Sequence, residues 1–278
     1  MLYLILAILS SALVSITMRL STSRIRANVA MLAMNYLMCL CLAAAFTGIR
    51  NLFPASPRLP QTLGLGAIHG VLYLASFVLL QVNVRRNGVV LPGIFMKLGL
   101  LVPMVVSIFA FGEIPTPLQA VGFCIAIAAI ILINLEKGDT VLGFRAGLIA
   151  LLLGGGAADA MSKVYEEIGD SSLSAQFLFY TFLVALILCI GLMVLKKQRP
   201  GKSEIFFGLL IGIPNFFSAR FLLLSLDTVS AVIAYPTYSV ATILLISLAG
   251  VLFFREKLSR RQWLAVAIIL AALILLNT

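Results

Sequence analysis

Apolar residues fill this chain in long runs, and polar residues mark the gaps between them. Ten stretches reach the roughly 20 mostly apolar residues that a helix needs to cross a bilayer. They lie near residues 2–22, 28–48, 61–83, 88–111, 115–134, 142–164, 172–195, 204–225, 229–254 and 260–277. Barrel strands would alternate apolar and polar at period two over about ten residues. Runs such as AVGFCIAIAAIILIN do not alternate, so the pattern predicts helices. The longest gaps, 49–60 and 196–203, are too short to hold a core of their own. The first run has no basic leader and no A-x-A site ahead of a soluble body, so it reads as a retained span. The expected fold class is all-α integral membrane, with ten transmembrane helices.

Composition agrees with this reading. The chain is 62% hydrophobic and 11% charged, where a soluble domain carries about 25% charged residues. Its net charge of +10 would suggest nucleic acid in a soluble protein. Here Lys and Arg crowd into the gaps without a basic–aromatic surface, so no nucleic acid is expected. Cys39, Cys41, Cys124 and Cys189 all fall inside apolar runs and form no C-x-x-C pair. They read as small packing residues, with neither a metal site nor a disulfide framework expected. No cofactor is expected either, and no G-x-x-x-x-G-K-[ST] loop offers a nucleotide site.

The chain also repeats itself. A shift of 143 residues carries Met18 onto Met161, Phe111 onto Phe254, Glu113 onto Glu256, Gln119 onto Gln262, Ala128–Ala129 onto Ala271–Ala272 and Asn134 onto Asn277. Two halves follow, residues 1–139 and 140–278, each with five spans. An odd number of spans forces the second half to enter the membrane from the opposite side. The loops carry the charge pattern that inversion requires. STSRIRAN between spans one and two answers to EEIGDSS between six and seven, and GEIPTP between four and five answers to REKLSRR between nine and ten. Counted by side, fifteen Lys and Arg lie on one face; Arg50, Arg58 and Lys163 lie on the other, and Lys97 and Arg220 lie inside. Lys/Arg bias sets orientation, which puts the basic loops in the cytoplasm and both termini outside.

Two copies of a glutamate-centred junction stand out, F-G-E-x-x-x-x-x-Q-x-x-G at Phe111–Gly122 and F-R-E-x-x-x-x-x-Q at Phe254–Gln262. Each leads into an Ala/Ile/Leu-rich helix ending in Asn, and Pro92 and Pro236 stand near the start of each preceding helix. With the repeat, these features resemble the drug/metabolite transporter superfamily, of the EamA type. The resemblance implies a basket of helices one to four and six to nine around a cavity, with helices five and ten as supports. It implies transport of a small organic solute by alternating access, in the bacterial cytoplasmic membrane. Familiar relatives are drawn with both termini in the cytoplasm, opposite to the orientation that loop charge gives here.

Charges inside a bilayer are functional candidates by default, because each costs at least about 2.5 kcal/mol there. Lys97 sits near the centre of span four, too deep to reach the interface. It should line a cavity or join a buried ion pair, with Gly93 opening space one turn away. Arg220 in span eight has Phe216 and Phe217 nearby; ligand contact competes with interfacial anchoring. Asp159 follows Gly154–Gly156 and has Lys163 four residues on. It pairs locally, offsets Lys97 or Arg220, or binds a proton. His69, the single histidine, serves coupling or packs with a hydrogen bond. Pro236 in Tyr235–Tyr238, matched by Pro92–Gly93, marks paired hinges, with Tyr235 as a ligand contact. Glu113 and Glu256 read as structural acids at the starts of helices five and ten. Trp263 reads as an interfacial anchor.

The expected function is secondary transport of a small polar metabolite. Two intramembrane cations against one anion lean toward an anionic solute. The partners are that solute and the lipid bilayer, and proton coupling and a homodimer stay open. A non-transporting or lipid-flipping subunit is the alternative. A membrane-embedded enzyme is disfavoured, because neither H-E-x-x-H nor G-x-S-x-G occurs and only one acid lies deep.

Overall fold

The computed structural model describes residues 1–21, 24–87, 95–96, 98–134, 145–254 and 260–276. Among these, every regular element is helical. The α-helices are α1 (Leu2–Ser21), α2 (Asn28–Thr47), α3 (Leu59–Asn87), α4 (Leu101–Phe111) and α5 (Pro117–Asn134). In the second half follow α6 (Arg145–Ile168), α7 (Ser174–Leu195), α8 (Lys202–Leu226), α9 (Ala231–Phe254) and α10 (Arg260–Leu276). Short 3₁₀ turns precede α3 and α7, at Ile49–Asn51 and Ser171–Leu173. Stretches within seven of these helices are long and apolar enough to cross a membrane: α1, α2, α3, α6, α7, α8 and α9. Leu101–Phe111 and Pro117–Ala128 are shorter apolar helices. Helices suit such a sequence because hydrocarbon offers no water to backbone N–H and C=O groups, so each segment must satisfy its own.

Local chemistry sets several boundaries. Gly112 ends α4 in the left-handed region, φ 72°, donating its N–H to the carbonyl of Ser107. Helix α5 opens with a reciprocal capping box. The Gln119 N–H donates to the Thr116 hydroxyl at 3.2 Å, and the Thr116 N–H donates to the Gln119 side-chain oxygen at 3.0 Å. Pro117 occupies the first helical position, where its missing N–H costs nothing. Gln119, the first of the two repeated glutamines, is therefore a capping residue. The same spacing recurs at Ser259 and Gln262.

Span four departs from the single helix expected over 88–111. Gly99 and Leu100 form a turn, and α4 begins at Leu101. Pro103 lacks the N–H that would meet the Gly99 carbonyl in an α-helix. That carbonyl instead accepts from Val102 at 2.9 Å, the tighter i→i+3 pattern.

Packing divides the chain into two compact units, each drawing on both sequence halves. Unit 1 comprises residues 75–163 and 225–278 with Met1; unit 2 comprises residues 2–74 and 164–224. In unit 1, α5 lies along α10, with Phe123 and Ala126 facing Ala272 and Leu276, and α4 and α9 complete that core through Met104, Val240 and Ile243. Gly122 lets α5 and α10 close: a Cβ there would stand 2.9 Å from the Leu275 side chain. Gly156 of α6 packs onto the turn, where a Cβ would run into the Gly99 carbonyl and sit 2.5 Å from Val102. Gly155, its neighbour, faces open space. The end of α3 is tied to α6 by Ser76, which donates to the Gly154 carbonyl at 3.0 Å. Asn83 adds a second tie, donating to the Gly147 carbonyl at 2.9 Å.

In unit 2, α2 runs along α7, and two small-xxx-small stripes bring backbones together. Gly208 and Gly212 of α8 meet α2 at Met31, Met34 and Met38; Gly66 and Gly70 of α3 meet α7 at Tyr180 and Thr181. Polar side chains close the helix ends. Gln198 accepts from the N–H of Val29 at 3.1 Å, near the start of α2. Glu204 accepts from the N–H of Arg26 at 2.9 Å and, through its other oxygen, from that of Gly201 at 3.1 Å. Cys39 and Cys189 are buried, as packing residues would be, while Cys41 and Cys124 are exposed.

Candidate functional site

Unit 1 brings together residues from α4, α6 and α9. Lys163 of α6 is 3% exposed at its side chain, and its ammonium lies 2.7 Å from Oε1 of Glu113, itself 18% exposed. The Phe111 ring stands 5.8 Å from the same ammonium. The second oxygen of Glu113 accepts the N–H of Val232 at 3.1 Å. Val232 is the second residue of α9, and its N–H has no acceptor within that helix. Glu113 thus neutralises a buried cation and covers the positive end of α9. The sequence had placed it at the start of helix five and had offered Asp159 as a neighbour for Lys163. The N-terminus of α5 instead satisfies itself through Thr116 and Gln119, which frees the carboxylate for the longer reach.

One turn before Lys163, Asp159 is exposed, and its backbone carbonyl accepts the Tyr235 hydroxyl at 2.8 Å. Two predicted site residues, Asp159 and Tyr235, are therefore joined, and α9 is fixed to α6 at the turn that carries Pro236. Helix α9 runs unbroken through Pro236 from Ala231 to Phe254. Lys97, Pro92 and Gly93 lie outside the described residues, as does Glu256.

Unit 2 holds His69 and Arg220 in an aromatic chain that sequence reading did not find. His69 is 2% exposed. Its ring stacks on Phe177 at 5.3 Å and meets Tyr73 edge-on at 4.9 Å, with Nδ1 3.4 Å from the Thr181 hydroxyl oxygen. Tyr73 contacts Phe182, Phe182 contacts Phe216, and Phe216 stacks on Phe46 at 5.5 Å. Arg220 closes the chain, its guanidinium 4.5 Å from the Phe46 centroid. The signal was present in the phenylalanine clusters QFLFYTF and NFFSARF. Which rings meet depends on helix rotation, which those clusters do not specify.

A cleft of about 420 Å³ also opens in unit 2 between α1 and α8. Leu13 and Thr17 form one wall; Leu210, Pro214, Phe217 and Phe221 form the other. Among the described residues no group of three or more His, Cys, Asp or Glu is arranged to hold a metal ion.

The helices and their buried polar contacts define an α-helical integral membrane protein. Residues 145–278 match the EamA-like transporter family. A solved crystal structure superposes with a TM-score of 0.75, covering 99% of this chain and 94% of that one at 16% identity. An uncharacterized protein of Haemophilus influenzae is 23% identical over 283 residues, 97% of this chain and 95% of that protein. The second half of the chain is thus similar to the EamA-like transporter family, and the whole chain shares the fold of that solved structure.

Proposed function

We propose that the protein is a secondary transporter that moves a small polar, anionic metabolite across the bacterial cytoplasmic membrane by alternating access. Ten spans form two inverted five-helix repeats, 1–139 and 140–278, with basic loops in the cytoplasm and both termini outside. The observation that carries this reading is the 143-residue repeat in a chain whose second half matches a transporter family. Inverted repeats in transporters place substrate near the bilayer midplane, where discontinuous helices expose backbone groups. The turn at Gly99–Leu100 interrupts span four and supports that location; the equivalent span, α9, carries Pro236 without a break. Lys97, Asp159 and Tyr235 contact the solute, with His69 as a coupling residue, and Pro92–Gly93 and Pro236 serve as hinges.

The test has two arms. Single cysteines at Arg24 and Glu167 should label from opposite sides of sealed vesicles; labelling from one side removes the inversion. Thermal stabilisation across a metabolite panel, followed by counterflow of the hits in proteoliposomes, should show saturable exchange. Lys97→Ala should weaken it at sub-saturating solute, and an unchanged rate would remove the anionic preference.

A further inference from the structure

Arg220 is a half-buried cation in a helix apolar enough to span the membrane. Among the described residues no carboxylate lies within ion-pair distance of it; its contact is the face of Phe46. Its guanidinium can take a phosphate as a charge-assisted hydrogen-bond partner. Its depth is fixed by its neighbours. Phe46 is the penultimate residue of α2, and Tyr3, the second residue of α1, stacks on Phe221 beside Arg220. Tyr3 and Phe46 are both exposed. Exposed aromatic rings at helix ends are the pattern of the membrane interface. Arg220 therefore stands at headgroup level, with its charge carried on an aromatic girdle.

The α1–α8 cleft begins beside the same rings. Phe217 lines it and lies 5.7 Å from Phe46, the ring under the guanidinium. From there the cleft runs inward, and its α1 wall extends from Ser10 to Thr17, about 10 Å along the helix axis. Ser10 and Thr17 lie about 10 and 21 Å along α1 from Tyr3, and half of a bilayer's hydrocarbon core is about 15 Å deep, so the cleft reaches from one leaflet to beyond the midplane. Its walls are apolar apart from two hydroxyls, and Leu13, Leu210 and Ile213 are open to the outside at 53%, 40% and 38% exposure. Pro214 supplies no N–H to the Leu210 carbonyl, which weakens α8 where the cleft is cut.

We propose that this cleft is a binding site for one anionic phospholipid, its phosphate held by Arg220 and one acyl chain lying between α1 and α8. At this depth an acyl chain is the available apolar ligand, and a phosphate is the available anion beside the girdle. The site takes Arg220, one of the two cations behind the anionic expectation, as a lipid ligand; it uses none of Lys97, Asp159, Tyr235 and His69.

Native mass spectrometry of the full-length protein in dodecyl maltoside, titrated with dioleoyl phosphatidylglycerol, tests it. One adduct should bind in preference to dioleoyl phosphatidylcholine. Arg220→Gln should weaken it about tenfold or more, the scale of losing a charge-assisted hydrogen bond. Leu13→Trp places a ring in the cleft from a position that is 53% exposed, so it should displace the lipid without disturbing the fold. Both variants should elute as the parent does on size exclusion. Phosphatidylglycerol bound equally by parent and both variants overturns the site. Binding of decyl phosphate with no phosphatidylglycerol adduct overturns the lipid and assigns a small amphiphile. Because the readout is a mass, loss of flux leaves this result standing, and loss of the adduct leaves flux standing.

Discussion

Replacing Glu113 with Gln should be the most destabilising single change among the polar contacts of unit 1. The carboxylate lies 2.7 Å from an ammonium that is 3% exposed and also accepts a helix N–H at 3.1 Å. An amide offers one oxygen, so its NH₂ must face either the ammonium or the Val232 N–H, donor against donor. The ion pair with Glu113 is also broken from one side, and for a buried pair that costs about 3–5 kcal/mol. Lys163→Met should cost less, about 1–3 kcal/mol, because the carboxylate left behind is partly hydrated and keeps the Val232 N–H. The double variant should then lie near Lys163→Met and well short of the sum. Unfolding can be followed by the loss of helical circular dichroism as sodium dodecyl sulfate is added. If the two single changes add within about 0.5 kcal/mol, the residues are uncoupled and the argument fails. Lys163→Met exceeding Glu113→Gln would refute it equally, since burial would then not decide the order.

Gly156→Val should abolish stable folding, since even a Cβ there runs into the Gly99 carbonyl, whereas Gly155→Ala should be tolerated or mildly stabilising; detergent-solubilised yield and melting temperature distinguish them. Asp170 precedes α7 and accepts from the Ser172 hydroxyl at 2.6 Å and the Ser172 N–H at 3.0 Å. These bonds, the hydroxyl first, hold its carboxyl below the usual range. The stability it contributes is present in full above the unfolded carboxylate value and fades as pH falls through the lower folded one. Asp170→Asn should therefore flatten the acid limb of a melting-temperature profile measured below about pH 5; an unchanged limb would show that the bonds carry no linkage.

Much of this protein could be read from the chain because hydropathy and capping are local. A helix in hydrocarbon follows from the run of apolar side chains alone, and seven spans appear within a few residues of their predicted ends. The repeat exposed Gln119 as a recurring residue, and Thr116 three residues before it explains why. Pro103 stands four residues after Gly99, where the helical pattern breaks; the hinge expected at Pro92–Gly93 lies outside the described residues. Other assignments needed coordinates. The Asp159–Lys163 spacing says nothing of Glu113, 50 residues back in sequence, which the ammonium meets. His69 reads from sequence first as a hydrogen-bonded packing residue and second as a proton carrier, and its aromatic shell of Phe177 and Tyr73 is visible only in the fold. Which partner a buried charge takes depends on the rotation and approach of helices far apart in sequence. Glycines such as Gly156 permit those approaches, and nothing within one helix encodes which neighbour will fill the space.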